Sequence, residues 1–564
     1  MRLSRRCVTI RSLNDKTHVT FKHRLPPFLP ASPRALLSPI VPLIVLLTLA
    51  FRGLGLAGLY DDEAIFGDAA RRIADALRSG RIASMPSGVM AYHGIVQSWA
   101  ALPFIAWLPL PPELALRTCF VVFGAAAVVL LHQLTLRALK SEATAFISAL
   151  LLAASPTFIV GVHFGAFFAM TTVFFTAAAL WSLCRWLEDG DNRFFGLASF
   201  FLGLSVSAIL HAVVVLAAFV SCMLYCLAFE RRRRKAEALI YGASFLLIGL
   251  APLLWHLSRD PTNYLGALMF RTRGISWRPR DLSAMAGMLR GLLDGTGALS
   301  VLTERSPVAI SSGNPIFPVM FCCAFAVLAY SGFRRYRGKR AEDGAAILAR
   351  VLVVLNLSYW IFGSMVVRIS DYYHFPHWQP IPQLTVAAAA HWLASRSGRG
   401  AKASAAAGLL LASSVLADLF VLKSFFAYLR TTRGEDRFSS AVYDLSDWLK
   451  RENVPKVVSL TWGLNHNLTY LSGGRLRVLP AWMPNRDYST TDPDLRLSRP
   501  IYLVQYVRNE RFCLSDFDLA RKSDYLDYLA SINYSCEARK NFDGARGEPV
   551  LQVLRCARTE ISFR

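Results

Sequence analysis

Charge is what this chain has least of. Only 18% of its 564 residues are Asp, Glu, Lys or Arg, against roughly 25% in soluble domains. Hydrophobic residues make up 54%, and apolar runs of membrane-spanning length recur through the first three quarters. An ordinary soluble domain is excluded, and a polytopic α-helical membrane protein is implied. Cysteine is present but unorganised. Ten residues are scattered with no CxxC and no Cys/His ligand spacing, which gives no metal module. Cys222 and Cys226 share one helix face inside an apolar run, where soft core packing suits them. Cys513, Cys536 and Cys556 leave room for one disulfide if the tail meets an oxidising compartment. No internal repeat is visible, so an inverted-repeat transporter has no direct support. No small-residue cleavage site stands out ahead of residue 60, so the first apolar run reads as an uncleaved span.

The formal charge of +24 invites a nucleic-acid reading, and its distribution rejects it. Residues 427–564 carry 21 Lys/Arg and 17 Asp/Glu, so nearly all of the excess lies ahead of them, in the head and in loops between apolar runs. That is topology signalling. Residues 1–34 form a basic cytoplasmic head with eight Lys/Arg against Asp15. The run at residues 95–110 is short and broken by Pro103 and Pro109. Only if it is a re-entrant or interfacial hairpin do the basic clusters at 137–140, 231–235, 334–340 and 396–402 all fall inside. The spans are then roughly 35–58, 115–137, 142–161, 166–186, 194–210, 212–229, 238–257, 315–333, 346–367, 377–394 and 404–426. Eleven spans put the tail on the outer face. The expected organisation is a basic head (1–34), a transmembrane body (35–426) with outer loops 60–114 and 258–314, and an extracytoplasmic α/β domain (427–564).

Three consecutive acids, Asp61, Asp62 and Glu63, follow the first span. Ile65, Ala69, Ile73 and Leu77 then fall four apart, the stripe of an amphipathic helix lying in the interface, with Asp68, Arg71, Arg72, Asp75 and Arg78 off it. The acids alone also fit a helix N-terminus facing its dipole. On the same outer face the topology gathers His93, His163 and His211, the segment Tyr372, Tyr373, His374 and His377, and an arginine-rich loop. Arg271, Arg273 and Arg278 in that loop suit bidentate phosphate binding or contact with anionic headgroups. Tyr372 and Tyr373 suit either sugar binding or an interfacial aromatic belt. Arg117 suits a substrate contact or a structural pair with Glu113. In the tail, Val442, Leu445, Trp448 and Leu449 form a helical stripe. Residues 456–462, 476–479, 501–507 and 550–556 read as short strands, and Tyr525, Tyr528 and Leu529 suggest a further helix. Asn467 and Asn533 head sequons. The tail has no phosphate loop and no nucleophile motif.

The sequence Tyr60-Asp61-Asp62-Glu63-Ala64, with Arg71 and Arg72 after it, resembles the opening of the first outer loop in the GT-C glycosyltransferases. Tyr92-His93-Gly94 before the broken hairpin, Leu114-Ala115-Leu116-Arg117 and Leu151-Leu152-Ala153-Ala154-Ser155-Pro156 continue the resemblance over residues 35–230. Within that superfamily it is similar to bacterial relatives of protein O-mannosyltransferases, of the aminoarabinose transferase of lipid A and of rhizobial galacturonosyltransferases. This resemblance implies sugar transfer from a polyprenyl-phosphate donor to an envelope lipid, glycan or protein, with the acidic pair at Asp62 and Glu63. It implies a bacterial inner-membrane location. His163, Phe168 and His211 stand where members often carry other residues.

Such a transfer needs a base near the acceptor hydroxyl, which a carboxylate at a span mouth supplies. It needs a cationic cradle for the leaving phosphate, and inversion follows from attack opposite that phosphate. The expected catalytic group is Asp62 with Glu63 and Asp61. The expected substrate contacts are His93, Arg117, His163, His211, Arg271, Arg273, Arg278, Tyr372, Tyr373 and His374. No cofactor is specified by the sequence, and a divalent ion on Asp61, Asp62 and Glu63 suits their hard oxygens, although their spacing is not diagnostic. The alternatives are an inactive scaffold of the same fold and a transporter or lipid-handling protein.

Overall fold

The computed structural model describes residues 38–90, 93–229, 235–262, 265–266, 278–303, 313–336, 344–367, 372–396, 400–481, 500–507 and 516–559. The chain begins with α1 (Ile40–Phe51), and α2 (Asp61–Arg78) follows after a series of turns. The short strands β1 (Gly88–Met90) and β2 (His93–Gly94) pair antiparallel and lead into α3 (Val96–Trp107). Next come α4 (Pro112–Leu139), α5 (Glu142–Ala154), α6 (Pro156–His163), α7 (Met170–Asp189), α8 (Asn192–Ala208), α9 (Val213–Phe229) and α10 (Lys235–Arg259). After these stand α11 (Pro279–Asp294), α12 (Thr296–Thr303), α13 (Ile316–Tyr336), α14 (Gly344–Val366), α15 (Pro380–Arg396) and α16 (Gly400–Thr432).

Local chemistry sets the hairpins. Pro112 opens α4 at the first turn, where a missing N–H costs nothing. Lys140 ends that helix in the left-handed conformation, φ 53°, and the Ser141 hydroxyl accepts the Thr144 N–H to start α5. Gly190, φ 72°, and Asp191, whose carboxylate accepts the Arg193 N–H, make the same kind of turn between α7 and α8.

By length and composition, six of the described helices are able to cross a membrane, and a seventh crossing exists if α5 and α6 count as one. Those two meet at an angle of 56° because Pro156 cannot continue the helix before it. The eleven-span expectation is therefore not reproduced as a count. Of the remaining expected spans, α1 has 12 residues, about 18 Å of helix, and the apolar part of α13 is 17 residues or fewer. The runs expected at 194–210 and 377–394 are helices α8 and α15, of 17 residues each. The run at 95–110 is the 12-residue helix α3, too short to span. The expected outer loop 258–314 is partly helical, as α11 and α12.

The C-terminal part is an α/β layer. It contains α17 (Ala441–Arg451), β3 (Lys456–Ser459), α18 (Asn465–Leu471), β4 (Arg477–Pro480), β5 (Ile501–Tyr506), α19 (Asp516–Ser531), β6 (Tyr534–Asp543) and β7 (Pro549–Arg558). The sheet order is β4-β3-β5-β7-β6, with the first three parallel and the last two joining antiparallel. Alternate strand residues serve two faces. Val457, Val504 and Val553 join the main core with Leu445 and Leu468. Val458, Leu503 and Cys556 pack with Tyr525 and Leu529 of α19. Cys536 and Cys556 are register partners on β6 and β7 and are disulfide-bonded.

Candidate active site

The three acids open α2, as the sequence implied, but they do not share one environment. The Asp61 carboxylate accepts the backbone N–H groups of His466 at 2.7 Å and Asn467 at 3.4 Å. It is thus held by α18, more than 400 residues on. Glu63 faces the opposite way. Arg117 donates to both its oxygens, Nε to Oε1 at 2.8 Å and Nη2 to Oε2 at 2.9 Å. The same guanidinium donates to the carbonyls of Leu54, Ala57 and Gly58. All five N–H groups of Arg117 are therefore used, and its exposure and that of Glu63 are 1% and 0%. This pair staples α4 to the turn before α2. Arg117 pairs with Glu63, not with the Glu113 considered from the sequence, and has no N–H left for substrate.

Asp62 is the half-buried member of the three. Burial pushes its carboxyl up to about 7, and the negative charge of Asp61 adds to this. The Arg437 guanidinium and the neighbouring Tyr60 hydroxyl pull the other way. Asp61 is also raised by burial, opposed by His466 and by the amides it accepts. Among the described residues, no group of three or more His, Cys, Asp or Glu side chains is arranged to hold a metal ion. With Asp61 turned to α18 and Glu63 to Arg117, the three acids do not fit the divalent-ion site considered from the sequence.

Tyr60 forms the floor beside Asp62. Its ring lies 4.9 Å from Phe167, 4.8 Å from Phe438 and 5.9 Å from Trp462 between centroids. Arg437 Nη1 donates to the Tyr60 hydroxyl at 2.9 Å. The guanidinium carbon stands 5.2 Å from the Tyr60 ring centroid and 5.4 Å from that of Trp462. From Phe167 the aromatic contacts continue to Tyr373 at 4.5 Å, then to His374 at 4.2 Å, then to His211 at 4.0 Å with the two imidazoles stacked. Tyr373, His374 and His211 are thereby connected to the acidic end. The His377 Nε2 lies 3.0 Å from the Tyr359 hydroxyl.

The other expected residues lie elsewhere. His93 is buried edge-on to Phe66, and its strand bridges to Ile209 beside His211. His163 points the other way: Nε2 meets the Leu49 carbonyl at 3.2 Å, and its ring sits between Phe425 and Phe426. It packs α6 against α1 and α16. Tyr372 is wedged over Gly291 and Gly297, where added Cβ atoms would fall 2.5 and 2.2 Å from its ring. Arg278 is exposed at the start of α11. Arg271 and Arg273 lie outside the described residues.

Sequence reasoning missed Tyr60, Phe167, Arg437 and Trp462. Tyr60 was visible beside the acids; the other three gave no local signal, because their partners are remote in the chain. The C-terminal layer grips this region closely. Gly58 N–H donates to the Phe438 carbonyl at 2.6 Å, the Tyr443 hydroxyl donates to the Ala57 carbonyl at 3.0 Å, and the Tyr470 hydroxyl donates to the Pro112 carbonyl at 2.8 Å. A Cβ on Gly58 would lie 2.0 Å from the Ser439 carbonyl oxygen, so only glycine admits this approach.

The family model for dolichyl-phosphate-mannose-protein mannosyltransferases matches residues 93–256. Among solved structures, the chain is similar to ArnT from Cupriavidus metallidurans bound to undecaprenyl phosphate, at 12% identity and a TM-score of 0.57, over 93% of this chain and 98% of that one. It is also similar to the oligosaccharyltransferase AglB from Archaeoglobus fulgidus in complex with an inhibitory peptide and a dolichol-phosphate. There the identity is 13% and the TM-score 0.52, over 94% of this chain and 75% of the other. Comparison with curated protein sequences finds no match. The resemblance to the GT-C glycosyltransferases thus extends to the fold of nearly the whole chain.

Proposed function

We propose that the protein is a membrane glycosyltransferase that moves a sugar from a polyprenyl-phosphate donor to an envelope lipid, glycan or protein acceptor, with Asp62 as general base. The observation that carries the reading is the state of Asp62: a half-buried carboxyl pushed to about 7 at the head of α2, in a GT-C-type fold. A base poised near neutral pH is the most effective kind. Asp62 takes the proton of the acceptor hydroxyl as its oxygen attacks the anomeric carbon. The bond from that carbon to the phosphate oxygen breaks, and the phosphate leaves with the electron pair. Attack opposite the leaving group inverts the centre. Imidazoles at His211 and His374 lie at the far end of the aromatic floor, where they suit the charge that develops on the phosphate. Neighbours of the same fold hold polyprenyl phosphates, which supports a lipid-linked donor. The disulfide of Cys536 and Cys556 supports placement of the C-terminal layer and the site on the outer, oxidising side of a bacterial inner membrane.

The test is transfer from polyprenyl-phosphate sugars in purified membranes. Asp62→Asn keeps shape but takes no proton, and its turnover should fall by about a hundred- to ten-thousand-fold with expression unchanged. The wild-type rate should rise with pH through about 7, because only the ionised carboxyl accepts a proton. Normal turnover by Asp62→Asn removes the proposed base.

A further inference from the structure

We propose that Arg437 is a positioning residue of the active site: delivered by the C-terminal layer, its guanidinium fixes the Tyr60 hydroxyl beside Asp62, the group that takes the acceptor's proton. The inference rests on the reading of Asp62 as base, and it gives the C-terminal layer a part in the reaction.

The geometry is specific. The guanidinium stands close to two aromatic rings from different parts of the chain, Tyr60 ahead of α2 and Trp462 after β3, and donates to the phenolic oxygen of the first. A planar cation against aromatic faces is held by the ring quadrupoles and keeps its orientation. Tyr60 is buried, and its own ring is fixed by Phe167 and Phe438, so the hydroxyl cannot swing away. Arg437 belongs to the turn Asp436–Phe438, whose place is set by the Gly58 N–H on the Phe438 carbonyl.

The electrostatics run in the same direction. Among the described residues, the charged and titratable groups that bear on Asp62 are Asp61 from its own helix, Tyr60 from the preceding residue, and Arg437 from the C-terminal layer. Behind them Tyr373 bears on Tyr60, and His466 on Asp61. Asp61 raises the Asp62 carboxyl and Arg437 lowers it. Arg437 is the only cation among these groups that acts on Asp62 directly. Its removal leaves burial and the Asp61 charge without that opposition, so the Asp62 carboxyl rises further. A midpoint one unit higher cuts the ionised fraction at pH 7 about fivefold.

The experiment compares pH–rate profiles of the full-length protein in membranes, with a polyprenyl-phosphate sugar as donor, for wild type, Arg437→Met, Arg437→Lys, Tyr60→Phe and Asp62→Asn. In Arg437→Met the acid limb should move to higher pH, and much of the lost rate should return in alkaline buffer. Arg437→Lys keeps the charge and should stay near the wild-type midpoint with a lower rate. Tyr60→Phe keeps the ring packing while removing the hydroxyl, so it reports on the same coupling even if Arg437→Met loosens the layer; its acid limb should also move up. Acid limbs of Arg437→Met and Tyr60→Phe that coincide with wild type overturn the inference and leave Arg437 as a structural clamp. Wild-type turnover by Asp62→Asn instead overturns the assignment of the base.

Discussion

Asp61, Asp62 and Glu63 are adjacent in the chain and chemically alike, yet each has a different task. A helix turns about 100° per residue, so consecutive carboxylates must point in different directions, and each meets what its direction offers. Glu63 meets Arg117. Their pair is fully desolvated and fully hydrogen-bonded, and in such a pair the loss of one partner is costlier than the loss of both. Arg117→Met should therefore destabilise the protein by about 3–5 kcal/mol, and adding Glu63→Gln should recover part of that loss. Thermal unfolding in detergent of the two single variants and the double variant reads the difference. The order of the acids at the start of a helix was legible in the sequence. Which acid pairs and which stays available was not, because the deciding partners, Arg117 and His466, lie 54 and 405 residues away.

At the scale of elements, α2 is where periodicity worked and then stopped working. Ile65, Ala69 and Ile73 are buried as their spacing requires, but Leu77 is 47% exposed and Asp68 is buried. An interfacial helix would bury one stripe in lipid; here α3 and α18 both pack against α2, and Leu77 and Arg78 in the last turn are exposed. The contact with the C-terminal layer leaves no room for a side chain at Gly58. Gly58→Val should displace the turn at residues 436–438, abolish transfer and make that turn sensitive to added protease. Gly287→Ala in α11, where a Cβ meets nothing within 4 Å, should leave both unchanged. Strands β3, β4, β5 and β7 were legible from apolar runs. Strand β6 was not: it is an edge strand whose Glu537, Arg539 and Lys540 are exposed, and charge of that kind protects an open edge while hiding it from pattern reading.

For the whole molecule, the orientation proposed from the basic clusters and the disulfide is open to direct test. Reporter fusions after Arg234 and after Arg337 should read cytoplasmic, and a fusion after Phe438 should read external. A cytoplasmic reading after Phe438 would overturn the outward placement of the C-terminal layer and of Asp62 with it. Charge bias carries the proposed orientation, whereas the number of crossings was not legible, since helices such as α1, α3 and α8 are shorter than a bilayer requires and their apolar character alone does not separate crossing from packing.

The tie between Asp61 and the amides of His466 and Asn467 also has a consequence in time. A ribosome adding about 5–20 residues per second needs about 20 to 80 s to make the 405 residues between Asp61 and His466. Throughout that interval the acids stand in a half-built site, without Arg437, Trp462 or the amides that take up the charge of Asp61. On the proposed role of Asp62, a nascent chain that carries the three acids should be inert until the C-terminal layer is made. On that reading, the C-terminal layer would act as a check on completeness before transfer.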